Sequence, residues 1–439
     1  MDSIDKMSVC IVGAGPAGLS AAYFLKQKGY SRITVLEKND CVGGKCLTKY
    51  YGNINYSLGA VSIGPRDKNV FHLISDFGLR LVTSPVSPAL IDGTTGMHHP
   101  LETLIASEKI LDVTASMVKY FYYLLKYHHI LRKVGFENIP RELATPFSPW
   151  LEERGMKSIL NLFLPIVTCF GYGDLQEIPA IYVLKYMNLA NFPLLFHFAI
   201  CRLLNIRPRW PKLIDEGFQE LLHKMAGTLP DVRLNACIQS ISRTNEGIRV
   251  NYIDTLTGKA LSIKADSLIL SIPPEGNFKG LLDLTDEETT IFSRVRCGHY
   301  YTTSCRIEGD LDGFLFNLVQ NGNIGIPQNV VPYMISKPVE NSDIAIVYSY
   351  ALSPVASDSI EHNILEFARS IGITIREVLN ISEWKYFFHF DSEDVRDGFH
   401  GRLERLQGRN RTYYTGGLFN FELVENSISY SGYIINKYF

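Results

Sequence analysis

The 439-residue sequence has little net charge, formally -2 at neutral pH. Nucleic-acid binding draws on counterion release from a clustered basic surface, so this balance makes nucleic acid an unexpected partner. The eight cysteines, Cys10, Cys41, Cys46, Cys169, Cys201, Cys237, Cys297 and Cys305, contain no C-x-x-C pair and no Cys/His group at zinc spacing. That pattern predicts reduced, mostly buried thiols and no metal. Neither His98-His99 nor His128-His129 can direct two adjacent rings at one ion from a regular helix or strand. The first residues, Met1 to Met7, lack the basic and apolar regions of a signal peptide, which predicts a cytoplasmic protein. An unbroken membrane span is absent too: Asn191, Pro193, His197 and Arg202 interrupt the most apolar stretch, 189–206. Two readings of that stretch stay open, a buried helix and a surface element in peripheral contact with a membrane. Nothing points to an obligate protein partner.

Hydrophobic residues make up 46% of the chain and charged residues 20%, enough apolar material at this length for two cores. An apolar run at 8–12, a glycine turn, a helix over 17–28 and a second strand at 33–36 read as a βαβ unit. Residues 69–207 read as mostly helical. Strand patterns return at 232–234, 248–253, 261–263 and 267–272, again near 300–306 and 345–351, and finally at 412–414 before a helix over 427–437. The expected class is α/β: a Rossmann-type dinucleotide-binding domain built from 1–68, 208–275 and 401–439. An interwoven second domain would combine the helical region 69–207 with a mixed sheet in 276–400.

The strongest local signal is Gly13-Ala14-Gly15-Pro16-Ala17-Gly18 at the handover from strand to helix. Gly13 permits the tight turn, Gly15 lets backbone approach a pyrophosphate, and Gly18 lets the helix pack closely, while the helix N-terminus offers N–H donors. Glu37 follows at the end of the next strand, where a carboxylate accepts from ribose hydroxyls. A second glycine pair, Gly43-Gly44, lies between Lys38 and Lys45 and favours FAD over NAD.

Glu37-Lys38 with Val42-Gly43-Gly44-Lys45 resembles the glycine doublet of the flavin-containing amine oxidase superfamily, although Cys41 and Lys45 stand where that family usually has arginine. The segment Tyr413-Tyr414-Thr415-Gly416-Gly417 resembles its returning FAD segment, with Gly417 in place of the usual acid. The resemblance implies cofactor contacts at Gly59, Ala60, Val61, Ile238, Ser427 and Ile428, the last two as N–H donors at a helix start. No cysteine follows Cys305, so the C-terminal cysteinyl attachment of some relatives is ruled out and noncovalent FAD is expected. The middle of the chain, Thr168 to Gly173 and Tyr182 to Tyr186, together with Trp384 to Phe387 and Leu406 to Arg409, is similar to bacterial polyenoic fatty acid double-bond isomerases. Amine oxidases usually carry a lysine on the strand comparable to 300–306, and this chain has none there.

That resemblance implies a redox-neutral isomerisation. Removal of a hydride from a carbon flanked by two alkenes leaves a delocalised pentadienyl cation, and its return at another carbon gives a conjugated diene. Such chemistry needs alignment, exclusion of water and aromatic faces tolerant of positive charge. Phe170, Tyr172, Tyr182, Tyr186, Phe387 and Phe388 are the expected wall, and no Ser/His/Asp spacing suggests a hydrolytic triad. Arg66, Arg80 and Arg202 are the candidate anchors for a substrate carboxylate. A flavin oxidase or desaturase acting on a hydrophobic metabolite is the alternative, and a flavoprotein that has lost catalysis is a third reading.

Overall fold

The computed structural model describes residues 7–65, 67–84, 88–93, 95–206, 211–274, 278, 280–309, 311, 313–318 and 330–439. The side chains of 198, 199, 202, 203 and 318 lie outside that description.

Five strands form a parallel sheet: β1 (Ser8–Val12), β2 (Arg32–Leu36), β3 (Val232–Arg233), β4 (Ser267–Leu270) and β5 (Thr412–Tyr414), in the order β5-β4-β1-β2-β3. β1 and β4 are buried along almost their whole length, as strands covered on both faces must be, and this explains their unbroken apolar runs. Between β1 and β2, helix α1 (Pro16–Gln27) starts with proline at its first position, where a missing N–H costs nothing. Its small residues Ala17, Gly18, Ala21 and Ala22 are buried. A three-stranded antiparallel sheet, Ala236–Thr244, Gly247–Asp254 and Ala260–Ala265, lies between β3 and β4 in the chain.

A seven-stranded mixed sheet makes the other half, built mainly from long antiparallel strands such as Arg296–Glu308, Ile344–Ala351 and Thr374–His389. Two of its strands, Pro88–Asp92 and His98–His99, come from the stretch that the sequence assigns to the helical region. They are short and without alternation: Pro88–Asp92 is set by parallel pairing with Phe314–Leu318, more than 200 residues away in the chain, and His98–His99 pairs in turn with Pro88–Asp92. Helices of the 69–207 region include α2 (Ile110–Lys126) and α3 (Leu194–Leu203). α3 has ten residues, about 15 Å of helix. Among the described residues no helix is long and apolar enough to cross a membrane. The last helix, α4 (Val424–Tyr438), packs along α1, with the Ser431 hydroxyl donating to the Ala17 carbonyl at 2.8 Å.

Candidate active site

The strand order reverses direction at β1, where β2 and β4 flank it, and α/β sheets of this kind bind ligands beyond their carboxyl edge at that point. A cavity of about 1460 Å³ opens there, reached by Val12, Leu36, Ser271 and Thr415 at the carboxyl ends of β1, β2, β4 and β5. It continues to the face of the seven-stranded sheet, where Tyr300, Tyr348 and Tyr386 line it.

The cradle end is shaped by the two glycine turns packed against each other. The Gly43 N–H donates to the Ala14 carbonyl at 3.0 Å, and a Cβ on Gly44 would lie 3.1 Å from the Gly15 Cα. Gly44 also has φ +53, so close approach and left-handed backbone both call for glycine. Glu37 is buried, its carboxylate accepting from the N–H groups of Ala14 (2.8 Å) and Asn39 (3.0 Å) while lining the cavity. Gly13, Gly15, Pro16, Ala17, Lys38, Lys45, Gly59, Ala60, Val61, Ile238, Gly416, Gly417 and Ser427 line it too. Gly18 and Gly43 act from behind, within the turns. These residues fit FAD: a side-chain-free approach at Gly15, a helix N-terminus behind it, and a fixed carboxylate at Glu37.

Ser427 and Ile428 do not open the last helix. α4 begins at Val424, the Ser427 N–H is already bonded to the Leu423 carbonyl at 2.9 Å, and Ile428 is fully buried in the core beneath the parallel sheet. Helical bonding uses the donors of these two residues, which leaves Val424, Glu425 and Asn426 as the first-turn N–H groups. The Asn420 and Asn426 side chains bond each other's backbone carbonyls and fix this earlier start.

The expected aromatic wall also divides. Phe170, Tyr172, Tyr186 and Phe388 line the cavity, whereas Tyr182 and Phe387 form a layer behind it. The strand Thr374–His389 bulges here, its register slipping between the pairs Gly298–Tyr386 and Arg296–His389, and Tyr386 and Phe388 line the cavity while Phe387 does not. Phe387, at φ +54, stacks on His389 with centroids 4.9 Å apart. Tyr182 is held by a hydrogen bond from the Phe390 N–H at 3.0 Å and by His400 Nε2 at 2.8 Å. Tyr172 is the hub: its ring lies 5.0 Å from Tyr186, 5.6 Å from Tyr386 and 4.8 Å from Phe421. The Tyr386 hydroxyl donates to that of Tyr172 at 3.2 Å, and the Tyr300 hydroxyl to the Cys169 carbonyl at 2.8 Å. Burial pushes the phenols of Tyr172, Tyr186, Tyr300 and Tyr386 well up, so they stay neutral and present apolar ring faces.

Four acids lining the cavity escaped the sequence reading, Asp67, Asp215, Glu383 and Glu422, of which Glu422 and Asp67 bear on its chemistry. Glu422 pairs with Lys45 and accepts the Phe388 N–H at 3.0 Å, and Lys45 lies 4.9 Å from the centroid of Phe388 and 5.2 Å from that of Tyr386. Asp67 accepts the Gly64 N–H at 2.8 Å. Burial, opposed by that N–H and reinforced by Glu425, pushes its carboxyl up to about 6. Neither acid belongs to a motif, so only the fold reveals them. Of the expected carboxylate anchors, Arg80 is spent on exposed ion pairs with Asp215 and Glu216, while Arg66 and the Arg202 side chain lie outside the described residues. Among the described residues no group of His, Cys, Asp and Glu could hold a metal.

Over residues 16–277 the chain matches the family described as flavin containing amine oxidoreductase. The FAD-dependent oxidoreductase dbaF of Emericella nidulans is 28% identical, over 95% of this chain and 88% of the relative. Beta-cyclopiazonate dehydrogenase of Aspergillus flavus is 23% identical, over 94% and 89% respectively. Among solved structures, the CLA-producing fatty acid isomerase from P. acnes has the same fold, with a TM-score of 0.87 at 23% identity and 99% of both chains covered.

Proposed function

Because the chain belongs to the flavin-containing amine oxidoreductases and is an FAD-dependent enzyme, we propose that it shifts carbon–carbon double bonds along a polyunsaturated fatty acid or polyene chain without net oxidation. The observation that carries this reading is the cavity wall. Tyr172, Tyr186, Tyr300, Tyr386 and Phe388 line one space beyond the cradle, the four tyrosines with neutral phenols. Bound FAD supplies an acceptor for a hydride that it can also give back. The rings stabilise the carbocation left on the chain, exclude water that would trap it, and hold the chain while hydride returns. Lys45 has its charge matched by Glu422, so it does not stand in the wall as an unpaired cation that would repel that intermediate. The fold shared with the fatty acid isomerase from P. acnes supports a lipid chain as the substrate class. We further propose that FAD is held noncovalently.

A second reading, desaturation, is favoured by Asp67, since loss of a hydride followed by loss of a neighbouring proton gives a new alkene and requires a base. A carboxyl with its pKa near 6 in the same cavity could take that proton. Anaerobic incubation of the FAD-loaded protein with linoleate separates the two. Isomerisation predicts conjugated-diene absorbance growing over many turnovers while the flavin returns to its oxidised spectrum. A single turnover that leaves the flavin bleached would sink it. Asp67→Asn, which keeps the acceptor for Gly64, should leave isomerisation within about threefold, whereas removal of a general base costs on the order of 100-fold or more.

A further inference from the structure

We propose that the outward faces of α2 and of the far end of α3 dock on the surface of a bilayer containing anionic phospholipid. α2 is apolar on both sides. Val113, Met117, Tyr120 and Leu124 are buried in the core, but the opposite side carries Leu111 (79% exposed), Val118 (65%), Tyr122 (59%) and Leu125 (52%) in solvent. The spacing of 111, 118, 122 and 125 puts these four on one helical stripe, where a surface helix ordinarily presents polar groups. Contiguous apolar surface of this kind marks an interaction face.

α3 links that face to the cavity. Leu194 and Leu195 at its start line the cavity, while Ile200, Leu204 and Ile206 toward and beyond its end are at least half exposed. α2 meets the segment leading into α3: Phe121 packs on Phe192 with centroids 5.5 Å apart, Phe192 packs on Phe196 of α3 at 5.6 Å, and the Tyr120 hydroxyl donates to the Met187 carbonyl at 3.0 Å. α3, about 15 Å long, therefore runs from the reaction cavity to the outer surface, with apolar residues at both ends.

Charge selects the occupant. Lys109, Lys119, Lys126, Arg132 and Lys133 are exposed around α2, against Glu108 and Asp112 on the same stretch, with Lys126 shared with Glu142. An apolar stripe bordered by lysine and arginine suits anionic headgroups. A second copy fits worse, because a two-fold contact through this face would set those cations against themselves. With no membrane-crossing helix among the described residues, the contact is interfacial.

The test is vesicle co-sedimentation of the FAD-loaded full chain, which does not depend on the reaction it performs. Binding to phosphatidylcholine vesicles carrying phosphatidylglycerol, weakened by salt, is expected. Leu111→Glu/Val118→Glu/Leu125→Glu should lower partitioning at least about tenfold, with FAD content and circular dichroism unchanged because all three side chains already face solvent. Wild-type protein that stays in the supernatant, or a variant that sediments equally, overturns the proposal. So does a lipid-free dimer that the same variant converts to monomer, since the face would then belong to a second copy.

Discussion

Gly15→Val is expected to purify folded but colourless. Gly15 has φ -82 and ψ -176, extended backbone open to any residue, and a Cβ built there would meet only the Gly44 Cα at an ordinary 3.7 Å. The polypeptide itself therefore tolerates a side chain at this position. A valine would project its methyls into the cradle at the N-terminus of α1, where we propose that the FAD pyrophosphate approaches the backbone. Loss of that approach should weaken FAD by at least about 100-fold, or roughly 3 kcal/mol, against a fold cost of about 1 kcal/mol at a helix N-cap. Visible flavin absorbance against protein concentration reads the result, and circular dichroism reports the fold. A variant that purifies fully loaded would show that the first glycine turn is not the pyrophosphate site. Gly18→Ala serves as the contrast: its Cβ would sit 2.0 Å from the Gly13 carbonyl oxygen, so it should fail as a fold before FAD is in question. Acid precipitation of wild-type protein should leave FAD in the supernatant; flavin that stays with the pellet would mean covalent attachment.

The cradle was legible in the sequence because its demands are local. The tight β1-to-α1 turn, the carboxylate at the end of β2 and the second glycine pair each leave a residue type at a fixed offset, and Gly13, Glu37 and Gly44 carry them. The wall was legible in kind but not in detail. Aromatic residues announce an apolar lining, yet whether Tyr386 or Phe387 faces it is decided by a bulge in the strand, and Tyr182 and Tyr186, four apart on one helical face, separate only because bonds to Phe390 and His400 hold Tyr182 behind the cavity. Strand 88–92 was hidden because its parallel partner is more than 200 residues away, and strand 98–99 because two residues paired back onto 88–92 carry no alternation to read. The start of α4 was misplaced by three residues because the deciding interaction, Asn420 with Asn426, is a side-chain turn that no helix-start pattern encodes. Lys45 and Glu422, 377 positions apart, became a pair only in three dimensions.

Arg243→Met should be the most destabilising substitution outside the cradle, by about 3–5 kcal/mol, because it leaves a buried carboxylate unpaired. The Arg243 and Glu288 side chains are 1% and 2% exposed, and the guanidinium grips both carboxylate oxygens, at 2.6 and 2.8 Å. Glu288 also accepts the Tyr414 hydroxyl at 2.6 Å and the Thr285 N–H at 2.9 Å, closing the capping box of the helix Asp286–Phe292. One ion pair thus ties the three-stranded sheet, that helix and the last residue of β5, directly before Thr415 and Gly416, which line the cavity. Burial pushes the Glu288 carboxyl up, but the Arg243 fork, the Tyr414 hydroxyl and the Thr285 N–H outweigh it and bring the group down from 4.5 to about 2. A carboxyl with a depressed folded-state pKa contributes stability that is fully present above its unfolded value. That contribution should disappear as pH falls from 4.5 toward 2. In Arg243→Met the carboxyl loses its largest stabilising partner and its pKa rises, so acid should no longer penalise the folded state through this group. Urea midpoints for wild type and variant should therefore lie far apart at neutral pH and converge as pH drops below 4.5. Arg243→Met/Glu288→Leu should recover part of the loss, since a buried pair replaced by apolar groups of similar volume costs far less than a broken one. Equal midpoints for wild type and Arg243→Met at neutral pH, or a gap that widens in acid, would show that this pair does not hold the three-stranded sheet and the helix Asp286–Phe292 to β5.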